Sequence, residues 1–223
     1  MLIPALRIAI KDLRLCLRGA HGLAQTALLG LLIIFVFSLS RKPGDEVPAL
    51  AAAAIFWLST LFSQVLVYNG LYALEEGNGA RLGLAMAPVP AQAVWLGKAL
   101  AGLILVLCCQ LIFAVAVAVF LGQNVAGSLV MGVACVLVVD VGLASLGSFM
   151  GALASGRTSR ESLLTVIFFP LIIPVLLSGI RVLEGVILGS DAGWDWLGLA
   201  CAFAAVFTAA ALVLFPFIYT GEE

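Results

Sequence analysis

Apolar residues run along this chain in long blocks that charges only punctuate. A charge at the centre of a bilayer costs several kcal/mol, and a helix needs about 20 apolar residues to cross the hydrocarbon. The uncharged stretches therefore mark the spans. Gly19–Ser40 is the first, with Leu23–Leu39 at its centre, and Val47–Leu74 is the second. The third, Ala99–Val139, would extend about 60 Å as one helix, twice the hydrocarbon thickness, so it folds back on itself. Gly122-Gln123-Asn124, with Gly127-Ser128 beyond, carries the turn chemistry for that reversal. Ser162–Ile180 and Trp196–Gly221 complete the set. The pattern predicts an all-α, polytopic membrane protein of one domain, with six spans at about 22–40, 48–72, 94–121, 125–155, 162–180 and 195–219.

Residues 1–20 follow a different rhythm. Arg7, Lys11, Arg14 and Arg18 recur on one helical face, and Ile3, Leu6, Ile10, Leu13 and Leu17 form an apolar stripe about a quarter turn away. Such a helix is expected to lie in the membrane surface, basic side towards phosphates. It serves either as a topology anchor or as a contact face for a partner.

Composition sharpens the class. Hydrophobic residues make up 64% of the chain and charged residues 10%, against roughly 45–50% and 25% in soluble domains. Mean hydropathy is +1.22. A net charge of −1 excludes a basic nucleic-acid binder. Cys16, Cys108, Cys109, Cys135 and Cys201 form no C-x-x-C pair, so they read as small apolar packing residues rather than a disulfide framework or zinc site. His21 has no obvious partner for a metal. With the N-terminus in the cytoplasm, that side receives eight cations: Arg7, Lys11, Arg14, Arg18, Arg81, Lys98, Arg157 and Arg160. The other side receives three, Arg41, Lys42 and Arg181, so both termini are expected in the cytoplasm. Tyr68, Tyr72, Trp95, Trp194, Trp196 and Tyr219 fall near predicted interfaces, whereas Trp57 falls inside a span.

The segment 73–92 joins spans two and three and is longer than a turn requires. It holds Glu75, Glu76, Gly77, Asn78, Gly79 and Arg81, then Leu82–Ala87, and closes on Pro88-Val89-Pro90. A short helix over 80–86, stopped by Pro88, would present an apolar face. It is either a docking element or a solvated connector. Within the spans, Asp140 is the ionisable residue nearest mid-bilayer, at the same depth as Gln110. An intramembrane acid is a functional-site candidate; the alternative is a protonated Asp140 hydrogen-bonded to Gln110 or to a backbone carbonyl for packing alone. Gly147 and Gly151 form a G-x-x-x-G pattern that lets helices approach closely. Pro170 and Pro174 free two carbonyls on one side of the fifth span and should kink it. Arg181 and Glu184 are spaced to pair, in a stretch, Gly179–Ser190, too apolar for a plain aqueous loop.

No phosphate-binding G-x-x-x-x-G-K-[ST] motif, H-E-x-x-H or G-x-S-x-G occurs, so no catalytic or metal residue is nominated and the chain is not expected to be an enzyme on its own. Six spans, an amphipathic N-terminal helix, an ordered second loop and no ATP site resemble the ABC-2-type permeases. Gly79 with its apolar run into Pro88-Val89-Pro90 and on to Lys98 narrows the resemblance. So do Gly142 through Gly147, Gly151-Ala152-Leu153, and Leu164 through Pro170 to Pro174-Val175. Together they are similar to the haem exporter permeases of cytochrome c maturation, the CcmB family. Asn78-Gly79 followed by Arg81 departs from the family's usual acidic loop.

The resemblance implies haem as the moved or handled ligand and ATP used only through a partner ATPase (CcmA-like). It also implies CcmC- and CcmD-like membrane subunits, a second copy of the chain, and a bacterial inner membrane. On it, Glu75, Glu76, Gly79, Arg81, Leu82, Leu84, Pro88 and Pro90 would receive the ATPase's motion. Gly179–Ser190 would be a re-entrant segment at the outer mouth, and Arg181, Asp140 and Gln110 would mark the substrate path. Two alternatives stand beside it: an ABC-2-type permease for a lipid or other amphipathic substrate, and a non-transporting scaffold for haem release to its chaperone.

Overall fold

The structure, a computed structural model, describes residues 1–18, 21–42, 45–76, 83–84, 86–154, 161–190 and 193–219, with side chains for all of these except 21, 76 and 161–169. These residues form seven helices and no strand: α1 (Leu2–Arg18), α2 (His21–Leu39), α3 (Ala49–Glu76), α4 (Ala91–Phe120), α5 (Leu129–Ala154), α6 (Glu161–Leu188) and α7 (Trp194–Tyr219). Six of them, α2 to α7, are long and apolar enough to cross a membrane. The chain is an all-α, multi-pass membrane protein.

Breakers set the helix ends. Nothing stops α3 before Gly77, so it continues past the predicted end of its span and carries Glu75 on its last full turn. Pro90 is extended (φ −63°, ψ 140°), and α4 begins immediately after it. At the far end, α4 stops at Phe120, and Gly122 reverses the chain with a left-handed φ of 66°. The freed Phe120 carbonyl accepts from the Arg41 guanidinium at 2.9 Å and from the Ser38 hydroxyl at 2.9 Å, a cation at a helix C-terminus.

α6 corrects one expectation. No separate re-entrant element follows a fifth span: α6 runs unbroken through Pro170, Pro174 and Gly179 to Leu188. Its apolar sequence offers no strong stop until Gly189, whose φ is 72°. The loop before α5 pairs with that end, Gly127 N–H donating to the Val186 carbonyl at 2.8 Å.

α3 occupies the middle of the bundle, against α2, α4, α5 and α6, while α5 lies along α7 and α1 packs on α4. The largest cluster, around Trp57, Phe113, Val139 and Phe207, fills the centre and far half. A second, with Tyr72, Trp95, Phe149 and Phe215, lies at the α1 end. Tyr68, Tyr72 and Trp95 are thus buried between helices rather than placed in an interfacial belt, because each finds polar partners inside the protein. Tyr68 donates to the Ala99 carbonyl at 3.0 Å, and the Tyr72 hydroxyl bonds that of Ser148 at 3.0 Å. Trp194 remains exposed, and Trp57 is fully buried.

Gly147 and Gly151 serve this aromatic packing. A Cβ on Gly147 would stand 2.5 Å from the Tyr68 ring, and one on Gly151 2.5 Å from the Tyr72 ring. Their gap admits aromatic rings of α3, and Gly151 also lets the α3 backbone approach, its added Cβ standing 3.2 Å from the Tyr68 carbonyl oxygen; Gly142 gives a second close approach, against Ala204 of α7.

Candidate functional site

At the α1 end, four charges from three helices meet. Lys98, on the second turn of α4, is wholly buried. Its ammonium donates to the Leu71 carbonyl at 2.9 Å, lies 3.0 Å from Glu75 and 3.4 Å from Asp12, and sits 4.5 Å above the Tyr72 ring. Lys11 completes the cluster, 3.0 Å from Asp12 and 3.2 Å from Glu75. Two cations and two carboxylates cancel, which is what allows Lys98, Asp12 and Glu75 to be buried beside the half-exposed Lys11. Burial alone would lower the Lys11 ammonium, but Asp12 and Glu75 outweigh it and hold it above its ordinary value.

The structure places Lys98 on α4 and Glu75 on the last turn of α3, with both side chains buried against each other. It also exposes a face of α1 that the sequence reading missed. Besides the basic and apolar faces, a third, made of Ala5, Ile8, Ala9 and Asp12, is buried against the bundle. Gly97 of α4 makes room for it, since a Cβ there would meet the Ala5 carbonyl oxygen at 2.8 Å. The signal was an aspartate among alanines on a helix otherwise basic and apolar.

The cluster clamps the two helices that flank the 77–90 segment. Of the residues nominated there, Gly79, Arg81 and Leu82 lie outside the described residues, as does the side chain of Glu76. Gly83, Leu84 and Met86 are helical, and the chain bends at Ala87 and Pro88. Leu84 and Val89 pack onto the cluster that holds Ile8 and Val94. Met86, Pro88 and Pro90 are exposed. The described residues 83–84 and 86–90 therefore rest Leu84 and Val89 on the clamped helix ends and leave Met86, Pro88 and Pro90 exposed.

Deeper in the bundle, the structure brings two predicted residues together. Gln110 of α4 donates from Nε2 to Asp140 Oδ1 of α5 at 2.9 Å, with Thr60 Oγ1 of α3 at 3.4 Å. Both side chains are buried. Gln110 Oε1 and Asp140 Oδ2 have no hydrogen-bond partner among the described residues. They belong to a wider polar seam that the sequence reading also missed: Ser59, Thr60, Ser63 and Gln64 are all buried on α3. Their i, i+4 spacing inside an apolar run was the available sign. Gln110→Leu is expected to cost about 1–3 kcal/mol, because Asp140 loses the one donor it has among the described residues. Asp140→Asn keeps the accepting oxygen and should cost less. Chemical unfolding of both variants in detergent, followed by helical circular dichroism, checks the order.

Gln110 also borders a groove of about 370 Å³ between α4, α5 and α6, walled by Phe56, Leu111, Val133, Leu137 and Leu183. Asp140 does not line it. Arg181 stands apart from both: it is exposed on α6, its guanidinium 3.1 Å from Glu184. That pair is neutral as a unit and too open to water to contribute much stability. Among the described residues no group of three or more His, Cys, Asp or Glu is placed to hold a metal ion.

Comparison with known proteins gives these features a context. The chain matches the family described as CcmB protein over residues 3–221. It is 31% identical over 214 residues to Heme exporter protein B of Rhodobacter capsulatus, covering 93% of this chain and 92% of that one. It is 28% identical over 212 residues to Heme exporter protein B of Paracoccus denitrificans, covering 94% of each. With the Escherichia coli K12 protein of that name it shares 31% identity over 95 residues, 43% of either chain. The match spans all seven helices with their connecting loops, and the chain belongs to the CcmB family.

Proposed function

We propose that this chain is the membrane permease subunit of an ATP-driven complex that exports or releases haem for c-type cytochrome assembly. The haem assignment comes from the relatives' names, Heme exporter protein B. The geometric observation that carries the permease reading is the clamp on the helix ends that flank the connecting loop. Met86, Pro88 and Pro90 are outward, and the helix ends on either side are tied to each other and to α1 through Glu75, Lys98 and Asp12. Force applied to such a segment moves α1, α3 and α4 together instead of bending a slack loop. A separate ATPase (CcmA-like) is the source of that force, and CcmC- and CcmD-like membrane subunits complete the assembly. A second copy of this chain would close the path. The location is the bacterial inner membrane, with both termini cytoplasmic.

Haem is an apolar plate with anionic edges, and the groove beside Gln110 offers an apolar wall with two amides, Gln110 and Gln123. On this reading Gln110 faces the cargo, and Asp140 acts through Gln110 as a positioning residue. Arg181 is already neutralised by Glu184, so Arg181→Ala is expected to leave haem delivery, read as c-type cytochrome yield, within about twofold of wild type.

Purification of the tagged chain from its own membranes in mild detergent, with mass spectrometry of what accompanies it, tests the proposal. An ABC ATPase together with haem-handling membrane subunits is the expected result. An ATPase without those subunits would favour an exporter of another amphipathic substrate. Absence of any ATPase would overturn the permease reading.

A further inference from the structure

We infer that the outward basic face of α1 is a binding platform for anionic phospholipid headgroups, held by Arg7, Arg14 and Arg18. Three observations carry this, independent of what cargo the complex handles.

The first is charge that nothing among the described residues answers. Lys11 is taken up by Asp12 and Glu75. Asp12 itself lies on the buried face. Arg7, Arg14 and Arg18 are exposed and form no ion pair or hydrogen bond among the described residues. Three fixed cations spread over about 16 Å of helix therefore look outward uncompensated.

The second is orientation. Ala9, Leu13 and Cys16 belong with Val67, Ala101 and Leu105, in the cluster farther along α3 and α4 from the connecting segment. Ile8 belongs instead with Leu84, Val89 and Val94, at the helix ends. Leu13 shares its side of α1 with Ile3, Leu6, Ile10 and Leu17, all four exposed. The exposed apolar stripe thus points along the bundle towards the hydrocarbon. At 100° per residue the arginines follow about a quarter turn on, nearly opposite the buried Ala5–Ala9–Asp12 face. They face away from the bundle at the level where a membrane-spanning helix leaves the hydrocarbon. Phosphate groups of the surrounding lipid occupy that level.

The third is shape. Arg7, Ile10, Lys11, Arg14, Leu15 and Arg18 border a concavity of about 370 Å³, open to the outside. It combines guanidinium donors with apolar stems, which suits a phosphate diester carrying acyl chains. Charge complementarity favours lipid with a net negative headgroup over the zwitterionic kind. A basic residue at a membrane surface contributes about fivefold in affinity for anionic lipid at low salt.

The test uses the full chain with whatever subunits co-purify, exchanged into detergent containing equal phosphatidylglycerol and phosphatidylcholine, with retained lipid counted by native mass spectrometry. Wild type is expected to keep phosphatidylglycerol preferentially. Each of Arg7→Gln, Arg14→Gln and Arg18→Gln should reduce that preference severalfold, and the triple variant should abolish it. Arg181→Gln, on α6, should leave it intact. Raising salt should weaken wild-type retention and barely affect the triple variant, a readout that misfolding would not mimic. Unchanged preference in the triple variant overturns the inference, as does equal retention of the two lipids by wild type. Loss of a cytoplasmic subunit from the triple variant with phosphatidylglycerol retention preserved would also overturn it, making this face a protein-docking surface.

Discussion

Lys98→Met is expected to destabilise the protein by about 3–5 kcal/mol, the cost of stranding buried charge. Lys98 is wholly enclosed, and its removal leaves the buried Asp12 and Glu75 sharing the half-exposed Lys11. The Leu71 carbonyl and the Tyr72 ring lose their cation as well. Lys98→Arg should not restore stability, because a planar guanidinium does not fit a pocket shaped around a point charge. The double variant Lys98→Met/Glu75→Gln removes one stranded carboxylate and should recover part of the loss. Unfolding in detergent by denaturant, followed by helical circular dichroism, gives these differences. A Lys98→Met protein as stable as wild type would mean that the four charges do not act as a unit.

The second large effect is steric. Gly147→Ala and Gly151→Ala are each expected to cost about 1–3 kcal/mol, since the new methyl group meets the ring of Tyr68 or Tyr72 with no room to yield. Both rings are fixed at their hydroxyls, to the Ala99 carbonyl and to Ser148, so rotation away breaks a buried hydrogen bond. Gly70→Ala supplies the contrast: nothing lies within 4 Å of its added carbon, and on α3 the change should be neutral or slightly stabilising. Combining Gly147→Ala with Tyr68→Ala should be less damaging than the sum of the two, because the first substitution fills what the second empties. Full additivity would show that Gly147 and Tyr68 do not oppose one another.

Neither of these two sites was readable in the sequence, whereas the spans and one contact inside them were. The spans were legible because charge is costly in hydrocarbon, and that alone separates the six apolar helices. The Gln110–Asp140 contact was legible because two polar residues at matching depth in apolar helices have few other partners. The α1-end cluster was not. Lys98 near a span end reads as a snorkelling cation, and Glu75 next to Glu76 reads as a solvated loop acid; only the extra turn of α3 brings them together. The buried tyrosines were misplaced for a related reason. Gln64, Tyr68, Tyr72 and Glu75 share one face of α3, and a polar face pointing into a bundle resembles an interfacial belt when proximity to the span ends is the only guide. Re-entry over Gly179–Ser190 was expected because that stretch is too apolar for an aqueous loop and the resemblance implies such a segment, whereas no residue before Gly189 stops the helix.

The central claim is that this permease serves haem delivery under the drive of a separate ATPase. It is tested most directly in cells lacking the chain, by haem staining of membrane c-type cytochromes with and without the wild-type gene restored. The account predicts that c-type cytochromes disappear without the chain and return with it, while b-type haem proteins persist. Normal c-type cytochrome levels in its absence would contradict the account.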